Sequence, residues 1–231
     1  MSRALRVGGM VPLTTLDYPG KLACVLFCQG CAWRCRYCHN PQLIPPRGSQ
    51  ELDWNQVLAF LQRRQGLLDA VVFSGGEATL QDSLPAAMAE VRQMGFDVGL
   101  HSAGIKPQAF ARALPGADWV GYDVKTLAEE YALITRVQGS GVANWRSLEL
   151  LLDSDVEYEC RTTVHWHLID PERLLVLARR LSERGVRHFV VQRVRTTQML
   201  DANLPRVSMH NALPALWEAL GDLFPVFEVR G

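Results

Sequence analysis

The chain has 231 residues, of which 48% are hydrophobic and 21% charged, so it can bury a large core and extensive disorder is excluded. Its 24 basic and 24 acidic residues cancel, which argues against a general attraction to nucleic acid or to an anionic membrane. No apolar run approaches the roughly 18 to 20 residues needed to cross a bilayer, and the first residues lack the features of a secretory signal. We therefore expect a cytoplasmic protein with neither a membrane nor a nucleic-acid partner.

The first predicted element is a buried strand, KLACVLFCQ, which begins after Pro19 and Gly20. A loop over about residues 29–41 follows it, between Gly30 and Pro41. Five of the six cysteines fall in this strand and loop. Such crowding in a reducing compartment indicates thiolates gathered around a soft metal.

The five cysteines form two overlapping triplets with C-x3-C-x2-C spacing, and local structure decides between them. Cys24 and Cys28 lie in the predicted strand, where a rise of about 3.3 Å per residue separates them by roughly 13 Å. The loop can curl, so its cysteines can converge. We therefore predict three metal ligands, Cys31, Cys35 and Cys38, and we expect Cys24 and Cys28 to be core thiols.

Beyond the loop, strand-like and helix-like segments alternate. Helices are predicted over 53–65, with Asp53 as N-cap, over 81–94, from Pro107, as one or two helices over 126–154 broken near 139–141, from Pro171 to about 185, and over 209–220. Five more strands are predicted over 69–76, 96–104, 118–125, 156–166 and 187–194, and residues 226–230 form a short apolar end.

Six strands that are apolar on both faces and alternate with helices predict an α/β fold with a parallel sheet. Six repeats are fewer than the eight of a closed barrel, so we expect a partial (β/α)6 barrel with outer helices, in one domain over residues 1–231. A doubly wound open sheet is the alternative. In both folds ligands bind at the carboxyl ends of the strands, where the cysteine loop and the motifs SGGE, HSAG and DVK lie.

The cysteine triplet with Tyr37 before its last member, followed about 40 residues later by Ser74-Gly75-Gly76-Glu77, resembles the radical S-adenosylmethionine (SAM) enzymes. Within that superfamily the segments TTLDYPGKLACVLFCQGCAWRCRYCHNP, YDVK and RTTV resemble glycyl-radical-enzyme activating proteins. The likeness extends to the activating proteins of anaerobic ribonucleoside-triphosphate reductase.

This resemblance implies a [4Fe–4S] cluster on three cysteines, with SAM bound at the fourth iron. Flavodoxin or ferredoxin would supply one electron, SAM would be cleaved, and the deoxyadenosyl radical would take hydrogen from a glycine of the partner enzyme. The protein would orient these cofactors and exclude water.

The resemblance also implies residues that bind SAM. Gly75 and Gly76 would let the backbone approach SAM, and Glu77 would lie near the methionine amino group. Ala78 replaces a proline that is frequent in the family. The remaining candidates come from later strand ends and from the loop: Ser102, Asp123, Lys125, His165 and Tyr37. Tyr37 either lies beside the adenine or packs the loop.

Two other functions stay open at this point. One is a radical SAM enzyme that acts on a small molecule such as a deazapurine precursor. The other is a non-catalytic module with structural zinc, with His39 as the fourth ligand, or an electron-carrying cluster that recruits Cys28 or Cys160.

Overall fold

The computed structural model describes residues 4–206 and 213–231. Within them the strands are β1 (Val7–Thr14), β2 (Ala23–Cys28), β3 (Ala70–Gly75), β4 (Asp97–Ser102), β5 (Trp119–Asp123), β6 (Glu157–Val164), β7 (His188–Arg193) and β8 (Val226–Arg230). The helices are α1 (Trp54–Gln62), α2 (Leu84–Gln93), α3 (Pro107–Ala113), α4 (Tyr131–Thr135), α5 (Ser140–Leu152), α6 (Pro171–Glu183) and α7 (Pro214–Gly221).

The strands form one sheet in the order of the sequence, from β1 to β8. The pairing of β1 with β2 is antiparallel, and all later pairs are parallel. Parallel strands joined by helices place all their carboxyl ends at one edge of the sheet. The predicted α/β partial barrel is confirmed, and its six predicted strands are β2 to β7.

The structure adds one strand at each end of the predicted six. The β1 segment carries Gly8, Gly9 and Pro12, which weaken the strand signal, and its register with β2 is interrupted twice. β8 is the segment that we expected to be a short apolar end, and it pairs in parallel with β7. Both are edge strands of the sheet, so each pairs with a neighbour on one side only.

The predicted N-cap of the first helix and the predicted break within residues 126–154 are observed, whereas the helix predicted from residue 81 begins at Leu84. The Asp53 carboxylate accepts hydrogen bonds from the backbone of Asn55 and Gln56 and begins α1. Gly139, in a left-handed conformation at φ 71°, separates α4 from α5. The last helix, predicted over 209–220, is observed as α7; residues 207–212 lie outside the described part.

Both faces of the sheet are buried, as the continuous apolar strands predicted. Side chains of one alternation pack under the helices, among them Cys24, Leu26, Val71 and Phe73. Those of the other alternation form an inner cluster around an aromatic side chain from the loop before β2: Ala23, Val25, Val72 and Trp119, with Tyr18 stacked on Trp119 at 5.0 Å. The inner cluster fills the amino-terminal end of the barrel, so space for a ligand remains at the carboxyl end.

No helix in the described ranges is long and apolar enough to span a membrane.

Candidate functional site

One cavity opens at the carboxyl ends of β2 to β6. Its lining combines the cysteine loop with the residues that follow or end four strands. All predicted site residues except His165 line it: Cys31, Cys35, Tyr37, Cys38, Gly75, Gly76, Glu77, Ser102, Asp123 and Lys125. The tertiary structure therefore brings together groups that are up to 94 residues apart in the sequence, from Cys31 to Lys125.

The three cysteines of the loop are half-buried free thiols. The backbone N–H of Cys31 donates to the carbonyl of Ile44 (3.1 Å), and that of Cys38 donates to the carbonyl of Cys35 (2.9 Å), which closes the loop on itself. The backbone N–H of Trp33 donates to Cys31 Sγ (3.4 Å). Burial raises the pKa of Cys31 to about 12 and also raises the pKa of Cys35, so a bound metal must displace protons.

The other cysteines lie in the core. Cys24, Cys28 and Cys160 are fully buried, and burial raises the pKa of Cys24 and Cys28 to about 12. Cys24 and Cys28 pack under the helices, as expected for core thiols.

Gly75 and Gly76 must be glycines because the backbone at the end of β2 and the start of the cysteine loop passes too close for a side chain. Gly75 has φ 117°, and a Cβ there would lie 2.3 Å from the amide nitrogen of Cys28. A Cβ on Gly76 would lie 2.4 Å from the carbonyl oxygen of Gly30. We predicted that these glycines let the backbone approach SAM. In the structure they also make room for the backbone of Cys28 and Gly30, where the cysteine loop begins.

Glu77 is only 2% exposed, yet its carboxylate is well hydrogen-bonded. It accepts from the hydroxyls of Thr79 (2.5 Å) and Ser102 (2.6 Å) and from the backbone N–H of Ala103 (2.9 Å). Burial raises the pKa of Glu77, while these donors oppose that shift. The carboxylate thus ties the turn after β3 to the end of β4, and Ser102 acts as one of its donors.

Asp123 and Lys125 face the cavity together with a residue that our sequence analysis missed, Arg161. Arg161 Nε donates to Asp123 Oδ1 (3.0 Å), its Nη2 donates to the carbonyl of Gly121 (3.1 Å), and Lys125 Nζ lies 3.7 Å from Asp123 Oδ2. Burial opposes ionisation of Asp123, but Arg161 and Lys125 outweigh it and hold the pKa of Asp123 below its usual range. Two cations therefore share one carboxylate beside the cysteine loop.

Tyr37 packs the loop from inside. Its ring contacts Ile134 and Leu204, and Lys125 Nζ lies 5.7 Å from the ring centroid. Its buried hydroxyl finds no hydrogen-bond partner within the described residues. This packing corresponds to the second of the two roles considered for Tyr37.

His165 is the one predicted residue outside the cavity lining. It is fully buried, its Nε2 contacts the carbonyl of Pro205 (3.1 Å), and its Nδ1 accepts from the backbone of His167 (3.4 Å). Both ring nitrogens therefore have partners in the protein, and these contacts hold His165 in the turn after β6.

Sequence analysis also missed His101 and Thr163, which line the cavity, and Asn144, which supports it. The Asn144 amide donates to the carbonyls of Ala103 (2.7 Å) and Asp123 (2.9 Å), linking two strand ends. The available signal was polarity inside apolar strands: a buried arginine or histidine in such a strand calls for a specific partner.

The donor set fits an iron–sulfur cluster. Three thiols of one loop open into a cavity that also has a glycine turn, and the cysteines of a [4Fe–4S] cluster each bind a different iron. Within residues 4–206 and 213–231, no three His, Cys, Asp or Glu side chains close around a single metal-ion position. His39, the fourth ligand considered for zinc, instead places Nδ1 2.9 Å from the carbonyl of Gln198.

An open α/β barrel with thiols, a glycine turn and paired charges around one cavity at its carboxyl end defines a cofactor-dependent enzyme of the partial-barrel class. The chain belongs to the Radical SAM superfamily, whose sequence profile matches residues 25–181, more than half of its length. Enzymes of this superfamily use a [4Fe–4S] cluster and SAM, which confirms the cofactors that we predicted.

Two curated relatives are similar in sequence. One, from Methanocaldococcus jannaschii, is provisionally described as a glycyl-radical enzyme activating enzyme; it is 28% identical over 212 residues, which cover 88% of this chain and 85% of the relative. The pyruvate formate-lyase-activating enzyme of Clostridium pasteurianum is 31% identical over 136 residues, 56% of this chain and 57% of that enzyme.

Among solved structures, Streptococcus suis SuiB bound to S-adenosylmethionine matches with a TM-score of 0.67 at 15% identity. The match covers 88% of this chain and 48% of SuiB. At this identity the likeness shows the fold alone.

Proposed function

We propose that this enzyme activates a glycyl radical enzyme, and that its partner is anaerobic ribonucleoside-triphosphate reductase. The proposal is supported by the similarity to two activating enzymes and by the sequence resemblance of the segments around the cysteine loop. When bound, the cluster and SAM supply the radical that removes a hydrogen atom from the glycine Cα of the partner.

One structural observation supports the radical SAM chemistry on which the proposal depends: the three thiols of the loop open into the same cavity as Gly75, Gly76 and the charged group of Asp123, Lys125 and Arg161. In this arrangement Cys31, Cys35 and Cys38 would hold the cluster.

The charged groups of the cavity match the charges of SAM. Lys125 and Arg161 offer positive charge to a carboxylate, and Glu77 offers negative charge to an ammonium group. Because Glu77 and Arg161 are buried and hydrogen-bonded to neighbouring protein groups, they are ordered before the ligand arrives, which lowers the entropic cost of binding.

The test is an anaerobic assay of the reconstituted, reduced protein with SAM and purified candidate glycyl radical enzymes. We expect a glycyl radical on the ribonucleotide reductase, detected by electron paramagnetic resonance, together with deoxyadenosine. A radical on a different enzyme would correct the partner. Deoxyadenosine without any protein radical would overturn the activase proposal in favour of a small-molecule substrate.

Two cysteine variants control this assay. Cys35→Ala should lose the cluster and both products. Cys24→Ala removes a thiol from the core, so it should retain iron and activity, with a stability cost of about 1 kcal/mol. Cluster loss in Cys24→Ala with retention in Cys35→Ala would reverse the ligand assignment.

We further propose flavodoxin or ferredoxin as the electron donor and the cytoplasm as the setting, where thiols stay reduced. A single domain over residues 1–231 also remains our proposal. It is supported by the one sheet that includes β1 to β8.

A further inference from the structure

A segment that follows β7 crosses the outside of the cysteine loop. We call residues 198–205 the strap; they form neither helix nor strand. The strap runs antiparallel to the loop: the backbone N–H groups of Leu200 and Asp201 donate to the carbonyls of Cys38 (3.0 Å) and Arg36 (2.8 Å). His39 Nδ1 contacts the carbonyl of Gln198 (2.9 Å).

The opposite side of the loop is bound to the end of α4. The backbone N–H groups of Arg34 and Arg36 donate to the carbonyls of Thr135 (2.9 Å) and Ile134 (3.0 Å). The last carbonyls of a helix have no partner within the helix, so the loop satisfies groups that would otherwise be unpaired. The part of the loop that carries Cys35 and Cys38 is therefore held between α4 and the strap.

Asp201 joins these three segments through its side chain. Its Oδ2 accepts from Arg36 Nε of the loop (2.7 Å) and lies 3.4 Å from Nη2 of Arg136, the residue that ends α4. Its Oδ1 accepts from the backbone of Asn203 within the strap (3.1 Å). The side chain of Asp201 is only 15% exposed, and Leu204 of the strap packs against Tyr37, so the Asp201 carboxylate is shielded from water although Arg136 is exposed.

Cys31 is attached differently. Its backbone N–H donates to Ile44, and the loop start at Gly30 receives a hydrogen bond from Glu77, so neither contact involves the strap. The strap thus contacts the part of the loop that carries Cys35 and Cys38, but not the part that carries Cys31.

We propose that Asp201 is a positioning residue of the cluster site: by tying the strap and α4 to Arg36, it holds Cys35 and Cys38 in place and slows the loss of iron. The proposal rests on the assignment of Cys31, Cys35 and Cys38 as cluster ligands and goes beyond it to a residue 163 positions after Cys38. Residues that orient metal ligands typically change metal affinity by about 10- to 100-fold when they are replaced.

The test is the rate at which an iron chelator removes iron from the anaerobically reconstituted protein. Asp201→Asn should release iron about 10-fold faster than the wild type and should change the visible circular dichroism of the cluster. Asp201→Glu, which keeps the carboxylate, should restore most of the slow release. If Asp201 acts through Arg36, adding Arg36→Gln to Asp201→Asn should produce little further change.

The matched control is Glu149→Gln, which breaks an exposed ion pair with Arg146 (2.8 Å) on α5 and should leave iron release unchanged. The proposal is overturned if Asp201→Asn releases iron at the wild-type rate. It is equally overturned if metal-free Asp201→Asn is so much less stable to heat than the wild type that general unfolding of the chain accounts for its faster iron release. The measurement uses neither SAM nor a partner enzyme, so its failure is distinct from failure of the proposed activase function.

Discussion

At the scale of single residues, Arg161 organises the charged side of the cavity. Its guanidinium packs closely against β5, where a Cβ on Gly121 would be 2.5 Å from Arg161 Nη1. The glycine and the arginine therefore depend on each other. The ion pair of Arg161 with Asp123 keeps the carboxylate ionised, and Lys125 lies beside the same carboxylate and the cysteine loop.

Arg161→Gln should weaken binding of SAM to the reconstituted protein by roughly 10- to 100-fold, because a hydrogen bond to a charged group contributes roughly 1.5–3 kcal/mol. Equilibrium titration with SAM measures the effect. Arg193→Gln, which changes an exposed arginine at the end of β7, is the control and should bind SAM normally. Equal affinity in the two variants would contradict a role of Arg161 in the cavity.

His101 makes folding stability depend on pH. Burial, with the nearby charge of Arg161, lowers the pKa of His101 to about 3, and its Nε2 donates to the carbonyl of Asp17 (2.8 Å). Because the histidine of the unfolded chain titrates near pH 6.5, neutral His101 makes its full contribution to the free energy of unfolding above that pH. It is lost as the pH falls toward 3, by about 1.4 kcal/mol per pH unit.

We expect His101→Gln to remove this slope while keeping an amide donor for Asp17. Urea unfolding at pH 7 and pH 5 should show the wild type losing about 2 kcal/mol more than the variant. Identical losses in the two proteins would show that His101 is not held neutral by the fold.

At the scale of elements, the turn after β3 is constrained more tightly than its sequence suggests. Gly75→Ala combines a left-handed conformation with a backbone collision at Cys28, so it should lower the free energy of unfolding by about 3 kcal/mol. Gly139→Ala, at φ 71° with no atom near the new methyl group, should cost only about 1 kcal/mol. Denaturant unfolding of the metal-free variants makes the comparison, and equal costs would exclude the collision.

At the scale of the whole molecule, the edge strand β8 is fastened to the barrel by a buried ion pair. Arg230 donates to both oxygens of Glu159 on β6, each at 2.8 Å, across the intervening strand β7. Glu159 is only 1% exposed, so Arg230 takes the place of water as the hydrogen-bond donor to both carboxylate oxygens.

Arg230→Met should therefore lower the free energy of unfolding by roughly 3–5 kcal/mol, since it leaves a buried carboxylate unpaired. The double variant Arg230→Met with Glu159→Leu should recover most of this loss, because it removes the stranded charge as well. Urea unfolding at pH 7 measures both, and a double variant as unstable as the single one would argue against the pair.

The features that could be predicted from the sequence share one property: each is defined by residues close to one another in the chain. The spacing of Cys31, Cys35 and Cys38, the glycines before Glu77 and the apolar strands are local patterns, and each lies where it was expected. Strand ends marked by polar residues also located the cavity, because parallel strands bring their carboxyl ends to one edge.

Other features depended on contacts between distant segments. β1 and β8 are strands because of their partners, with glycines and proline weakening the local signal in β1. Arg161 reaches Asp123 only through the register of β6 against β5. His165 lies directly after β6, and its ring nitrogens contact Pro205 and His167 in the segments that follow.

The sequence by itself determined the alternation of β2 to β7 with helices, the cluster ligands that we propose and the end of the barrel where they act, because periodicity and spacing are properties of short segments. Only the tertiary structure decided which charges meet in the cavity and that Asp201 closes over the cysteine loop. Hydrogen bonds and ion pairs between different strands and loops, such as Arg161 with Asp123 and Arg36 with Asp201, are specified by packing and register, which no local pattern encodes.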